Sequence, residues 1–317
     1  MSKKLLFVFN PNAGKGLIKS NLCDMIDVFT KHDYEVTAYP TQAPMDGYAK
    51  IMASANDFDM VIASGGDGTL SEVVKGLMEI GFDKSLGYIP AGSTNDFAAS
   101  LGIPKNMTLA AEQVMNGVDF HIDIGQFNSE YFVYVAAFGA FTDVSYETPQ
   151  NIKNVLGHAA YIVEGIKRLP RITSYHMRVE HDGEVLEGNF ILGMVTNTMS
   201  VGGMRKLITN GVCFDDGMYE VTLVKKPNNL IDLQKTINGA LLSNLEKENC
   251  FVTFKTSKVK FISDEEIAWT LDGEAGGIHK EVEIINHEKA LRLRLTPDEK
   301  TEEQNITENN ISGGEQL

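Results

Sequence analysis

Met60-Val61-Ile62-Ala63-Ser64-Gly65-Gly66-Asp67-Gly68-Thr69-Leu70 runs from an apolar segment into three glycines wrapped around one aspartate. Apolar residues then recur at Leu70, Val73, Val74 and Leu77, the spacing of one helix face. Strand, glycine-rich turn and helix together outline a phosphate site. Glycines admit close approach of the backbone to an anion, and a helix N-terminus aims N–H groups and a positive dipole end at it. A carboxylate beside phosphates repels them unless a cation sits between, so Asp67 points to Mg²⁺ as well as nucleotide.

Outward from this segment the first 125 or so residues alternate strand and helix patterns. Lys4–Asn10, Glu35–Tyr39, Asp59–Ala63 and Leu86–Ile89 read as strands. Helical patterns follow them: the stripe Ile18, Leu22, Met25, Ile26 and Phe29, then Asp46–Ala55, Thr69–Ile80, Asp96–Leu101 and Leu109–Asn116. This order predicts an α/β domain with an open, doubly wound, mostly parallel sheet, its ligands at the strand C-terminal ends. After Asp123 the texture becomes β-rich. Short runs between Tyr175 and Leu295 predict an antiparallel second domain, with helices over 151–169 and near 230–245. Lys258–Ile262, Ile267–Leu271, Val282–Ile285 and Leu291–Leu295 read as four separate strands. The expected division is 1–124, 125–296 and a tail over 298–317, with a hinge near Asp123–Gly125 and the first domain completed by the chain near 291–297.

Composition narrows the function. A net charge of −15 argues against nucleic acid as a partner. The tail from Asp298 holds six acids and one lysine and reads as disordered. No apolar run is long enough to span a bilayer. Three widely spaced cysteines, Cys23, Cys213 and Cys250, fit neither a disulfide framework nor a zinc site and favour the cytoplasm. Lys167, Arg168, Arg171, Arg178, Arg205 and Lys206 form either a solvated face or a basic patch for a membrane surface.

Other segments carry weaker chemistry. Asn10-Pro11-Asn12-Ala13-Gly14-Lys15-Gly16 is not a Walker A loop, since Gly16 stands where the Mg²⁺-binding hydroxyl belongs. In Gly92-Ser93-Thr94-Asn95-Asp96 the first three residues suit phosphate, while Asn95 and Asp96 suit a helix cap; the position of Asp96 beside the Asp67 loop favours a metal or substrate hydroxyl for it. Asp123 lies in an apolar run and needs a partner or a metal. Leu271-Asp272-Gly273-Glu274 and Asp215-Asp216-Gly217 read as turns.

In order, Asn10…Gly14, Gly65–Thr69, Gly92–Asp96, Ile122–Gly125 and Leu271–Glu274 resemble the diacylglycerol kinase catalytic-domain family, its bacterial soluble lipid kinases above all. The resemblance spans about residues 3–296. It implies an α/β domain and a C-terminal antiparallel β-sandwich domain with ATP-dependent phosphoryl transfer to a lipid hydroxyl in the cleft between them. Asn10, Gly14, Thr41, Gly65, Gly66, Asp67, Gly68, Thr69, Glu72, Ser93 and Thr94 would contact nucleotide. Asp67, Asp96 and Asp123 would hold catalytic Mg²⁺ through waters, and Glu274 would be the general base. A structural Mg²⁺ would take Asp216 with the carbonyls of Cys213 and Met218. The family's usual Gly-Thr is Gly92-Ser93 here, which keeps the hydroxyl. The resemblance further implies a lipid substrate at the membrane surface, peripheral location at its inner face, and room for a homodimer. Diacylglycerol is the first expectation; another lipid, an NAD kinase or an inactive nucleotide-binding regulator are the alternatives.

Overall fold

The computed structural model describes residues 2–139, 173–198, 212–229, 232 and 249–296. The helix expected over 151–169, that over 230–245 apart from Asp232, the tail, and Lys167, Arg168, Arg171, Arg205 and Lys206 lie outside them.

Strands β1 (Lys3–Phe9), β2 (Tyr34–Pro40), β3 (Met60–Gly65) and β4 (Ser85–Pro90) pair in parallel in the order β4-β3-β1-β2. Leu5–Phe9 and Met60–Gly65 are buried without alternation, the pattern of inner strands in a parallel sheet. Helix α1 (Ile18–Lys31) packs with α5 (Met107–Asn116), and α2 (Asp46–Ser54) with α3 (Asp67–Glu79). The short α4 (Asp96–Ser100) follows β4.

The chain leaves this layer along β5 (Val118–Phe127), whose last residues pair with β6 (Glu130–Phe132). Then come β7 (Val135–Gly139), β8 (Tyr175–His181), β9 (Glu184–Thr196), β10 (Tyr219–Lys225), β11 (Phe251–Thr256), β12 (Lys258–Leu271) and β13 (Glu274–Leu295). These pair antiparallel in the order β11-β10-β9-β7-β12-β13, and β8 joins β9 and β12. Their alternating inward residues bury an aromatic core. In it Trp269 meets Phe138 at 4.8 Å, with Phe127 and Phe261 each at 5.2 Å.

Two expectations change. β12 and β13 are each one long strand, not two. Register shifts at Ile262/Ile267 and His287/Leu291 absorb the polar residues that interrupt the apolar pattern. No hinge breaks the chain at Asp123–Gly125, because β5 runs straight through them, paired with β13. At its far end β13 also pairs in parallel with β4, Arg292 opposite Ser85 and Leu293 opposite Leu86. Arg294 donates to the carbonyls of Val114 and Met115 and fastens that end to the last turn of α5. Two long strands, rather than a flexible linker, join the halves.

Candidate active site

Because β1, β3 and β4 run parallel, their following loops emerge at one sheet edge. The loops stay hydrogen-bonded to each other there. Asn10 N donates to Ser64 O at 2.9 Å, Ala91 N to Gly65 O at 2.7 Å, and Thr41 N to Phe9 O at 2.8 Å. Two glycines are required by this packing. Gly14 has φ +54°, and a Cβ on it would fall 2.4 Å from Ala91 O; one on Gly92 would fall 2.6 Å from Gly66 Cα. The Asn95 amide grips Gly92, accepting from its N–H and donating to its carbonyl, both at 2.9 Å. Asn95 therefore clamps a loop and does not cap α4.

Asp67 performs that capping. It accepts from the N–H groups of Asp96 and Phe97 at the first turn of α4. Its Oδ1 is buried and has no hydrogen-bond partner among the described residues. Burial first, then the charges of Asp96 and Asp272, push its pKa up to about 6. Thr69 folds its side chain over Gly65, while Ser93 and Thr94 stand exposed on the loop after β4.

From the other half of the molecule the β12–β13 turn reaches this edge. Glu274 Oε1 lies 3.0 Å from the point a Cβ on Gly68 would occupy. Asp272 beside it is buried and saturated. Oδ2 accepts from Ser71 Oγ at 2.5 Å and Val133 N at 2.8 Å, and Oδ1 from Tyr134 N at 2.9 Å and Val135 N at 3.1 Å. Between the halves lies a cleft of about 540 Å³. Asn10, Thr41, Met45, Gly68, Thr69 and Glu72 line one wall; Glu130, Tyr131, Asp272 and Glu274 line the other. Glu72 spans to the N-terminus of α2, accepting from Met45 N at 2.8 Å and Gly47 N at 3.2 Å. Its carboxylate thus holds the Thr41–Met45 loop against α3.

The carboxylates acting on Asp67 are Asp96 and Asp272, whereas the one acting on Asp123 is Asp216. Asp123 is fully buried and accepts from Gly217 N at 2.7 Å, Lys289 N at 2.8 Å and Asn286 Nδ2 at 3.2 Å. It belongs to the Asp215–Gly217 turn, where strand β5 meets the bulge of β13. In that turn Asp216 Oδ1 accepts from Met218 N at 3.0 Å, and Oδ2 stands 3.4 Å from the Lys255 ammonium. Cys213 donates its thiol to Asp215 at 3.2 Å. Glu220 is only 2% exposed, with Lys255 2.9 Å away. Burial, and next the Lys255 ammonium opposing it, set the Glu220 pKa, which ends up raised.

Sequence reasoning missed Asp272, Ser71 and the ion pair of Lys75 with Glu130 at the cleft mouth. The Asp-Gly pair at 272–273 signalled a turn and nothing more. What makes Asp272 special is four donors from residues 71 and 133–135, a long-range fact.

The profile of the diacylglycerol kinase catalytic domain matches residues 4–127, and that of the YegS C-terminal NAD kinase beta sandwich-like domain matches residues 136–292. The diacylglycerol kinase of Bacillus subtilis (strain 168) is 36% identical over 303 residues, covering 95% of this chain and 99% of the relative. That of Staphylococcus carnosus (strain TM300) is 35% identical over 278 residues, covering 87% and 90%. The crystal structure of a candidate diacylglycerol kinase from Bacillus anthracis str. Sterne superposes with a TM-score of 0.78 at 26% identity, covering 93% of this chain and 96% of that one. With this coverage of both halves and of the cleft between them, the chain belongs to the diacylglycerol kinase catalytic domain family.

Proposed function

We propose that this protein transfers the γ-phosphoryl group of ATP to the hydroxyl of a membrane lipid, diacylglycerol first, giving phosphatidic acid. The observation that carries the reading is the buried, unpartnered Oδ1 of Asp67 at a glycine-lined edge, with Glu274 brought against Gly68 from the facing half. The relatives named diacylglycerol kinase supply the substrate class. The two helix pairs support a doubly wound reading of the N-terminal sheet.

Phosphoryl transfer asks for positioning and charge neutralisation more than for covalent chemistry. Asn10, Thr41, Glu72 and the Gly65–Thr69 loop are assigned to the nucleotide, with Gly14 and Gly92 holding the loops in register and Ser93 and Thr94 offering hydroxyls. Glu274 is assigned to the acceptor: it takes the proton as the lipid oxygen attacks. The donor set fits Mg²⁺. Asp67 offers one free carboxylate oxygen beside Asp96, and no trio of His, Cys, Asp or Glu is arranged as a ligand shell among the described residues. An ion held by one or two carboxylates, with waters and phosphate oxygens completing its shell, is the habit of Mg²⁺. Bound there, it would supply charge neutralisation at the phosphates. The negative turn around Asp216, with Glu220 buried beside it, fits a second ion on Asp216 and the carbonyls of Cys213 and Met218; Asp123 is assigned to the support of that turn. A lipid acceptor requires work at a membrane surface, and no described helix is long and apolar enough to cross one.

The test is incubation with Mg²⁺, labelled ATP and mixed micelles of diacylglycerol, monoacylglycerol, phosphatidylglycerol or ceramide, with NAD in a parallel tube. Label in phosphatidic acid is expected. Label confined to the NAD tube would overturn the reading, and none anywhere would favour a regulator.

A further inference from the structure

Helix α3 presents Gly68, Ser71 and Lys75 at i, i+3 and i+7, on one face. Each of the three meets a carboxylate from the C-terminal half: Glu274 at Gly68, Asp272 at Ser71 and Glu130 at Lys75. The middle contact differs from its neighbours in burial and in saturation. Asp272 is 4% exposed, and four donors fill its carboxylate. Three of those donors are main-chain N–H groups of Val133, Tyr134 and Val135, from its own half. The fourth, Ser71 Oγ at 2.5 Å, belongs to the nucleotide-side half.

Asp272 and Gly273 form a two-residue hairpin turn, with φ +50° and +86°, between paired Leu271 and Glu274. Positive φ at both central residues is the tight turn that matches strand twist, so the turn moves as a unit. Asp272 N also donates to Val135 O at 2.8 Å. Glu274 is therefore fixed to Asp272 by a stiff two-residue step. Asp272 is fixed to α3 by the Ser71 hydroxyl, one turn from Gly68.

Resting on the reading of Glu274 as the base, we infer that Ser71 is a positioning residue for phosphoryl transfer. Its hydroxyl holds the Asp272 carboxylate, and through the Asp272–Gly273 turn sets where the Glu274 carboxylate stands over the Gly68 end of α3. Ser71 lines the cleft wall and spends its hydroxyl on Asp272, so it acts through that carboxylate. Its removal leaves the three main-chain bonds to Asp272 in place, so the hairpin persists while its tie to α3 is cut. A displacement of about 1 Å at a reacting group costs on the order of 10²-fold in rate.

The experiment compares Ser71→Ala, Ser71→Thr, Glu274→Gln and the double variant Ser71→Ala/Glu274→Gln, in lipid micelles with Mg²⁺-ATP. Ser71→Ala is expected to lower kcat by about 10- to 100-fold, with KM for ATP within about twofold and a melting temperature close to that of the parent. Ser71→Thr keeps the hydroxyl and restores most of kcat. In the Glu274→Gln background, Ser71→Ala adds no further loss, because both act on one step. An unchanged kcat in Ser71→Ala, with Glu274→Gln inactive, overturns the positioning role alone. So does an equal further loss in the double variant, which would place Ser71 in some other step. Glu274→Gln with the parent's kcat would remove the base assignment itself, and the inference with it.

Discussion

Asp67 and Asp272 are two buried carboxylates, near enough for the charge of Asp272 to raise the Asp67 pKa, and the chain treats them oppositely. Asp272 sits at a turn from the C-terminal half with both oxygens filled by four donors. Asp67 sits at the edge of the N-terminal sheet with one oxygen capping α4 and the other buried without a donor among the described residues. Buried polar groups are satisfied almost everywhere in folded proteins, so a saturated carboxylate reads as architecture and an orphaned one as a place kept for a ligand. Burial raises the pKa of both. At Asp272 the donors oppose that rise from all sides; at Asp67 the neighbouring carboxylates add to it.

The sharpest way to break this contrast is Asp67→Asn. The amide oxygen can still accept from the N–H groups of α4, and its NH₂ would face Asp96 and Asp272. Loss of the anionic ligand should lower kcat by about 10³-fold. Stability should move the other way. With its pKa raised to about 6, the native Asp67 binds its proton more tightly than the unfolded one. Its contribution is therefore whole below about pH 4 and is lost as pH climbs through about 6. The asparagine variant should match the parent near pH 4 and exceed it by up to about 3 kcal/mol at pH 7.5 in EDTA. Thermal scans at both pH values check this. A variant that melts lower at pH 7.5 would show that Asp67 is structural after all.

Asp272→Ala probes the other side. Three N–H groups and the Ser71 hydroxyl would lose a common buried acceptor, for a cost of about 3–5 kcal/mol in urea unfolding. Activity falls with the fold and with the tie that sets Glu274 against α3. If Asp272→Ala unfolded with the parent's midpoint, saturation would have been a poor guide to architecture.

What the sequence disclosed follows the same line. Residues 5–9 and 60–65 are buried on both faces of a parallel sheet, so their runs are easy to read. The glycines were legible too, though Gly14 and Gly92 serve loop-on-loop contact as much as a ligand. β12 and β13 were not legible as single strands. Ser263–Glu266 and His287–Ala290 interrupt the apolar alternation, and only pairing across the bulges carries the strands through. The hydrogen-bond partners of Asp123 were not legible for a related reason. Its apolar surroundings announce burial, but its partners at 217, 286 and 289 come from register that no local pattern encodes.

A third acidic place, the Asp216 turn, tests the contrast at lower amplitude. Glu220 is buried there with one carboxylate oxygen 2.9 Å from the Lys255 ammonium, and Asp215 and Asp216 add two further acids to the turn. If that excess of acid marks a structural Mg²⁺, removing the ion with EDTA should lower the melting temperature by about 5 °C, since a ligand at a hundredfold its Kd adds about 2.7 kcal/mol. Asp216→Ala should melt at one temperature with or without Mg²⁺. A parent protein indifferent to EDTA would mean that the Lys255 ammonium already balances the turn.

The smallest effect belongs to Lys75 and Glu130. They join the same two halves as Ser71 and Asp272, one helical turn further along α3, but at the cleft mouth, with 20% and 48% of their side chains exposed. Solvent screens such a pair, and long side chains lose rotamer freedom in making it, so it is worth no more than about 1 kcal/mol. The Lys75 ammonium also lies 5.4 Å from the Tyr48 ring, a contact that survives loss of Glu130 but not of Lys75. Glu130→Gln is therefore the cleaner variant. It should shift the unfolding midpoint slightly, leave kcat within about twofold, and lose even that difference in 0.5 M NaCl, about where the Debye length falls below 5 Å. A tenfold loss of kcat that salt does not reproduce would make the rim a third fixed point between the halves, and the division of work between Ser71 and the cleft mouth would have to be redrawn.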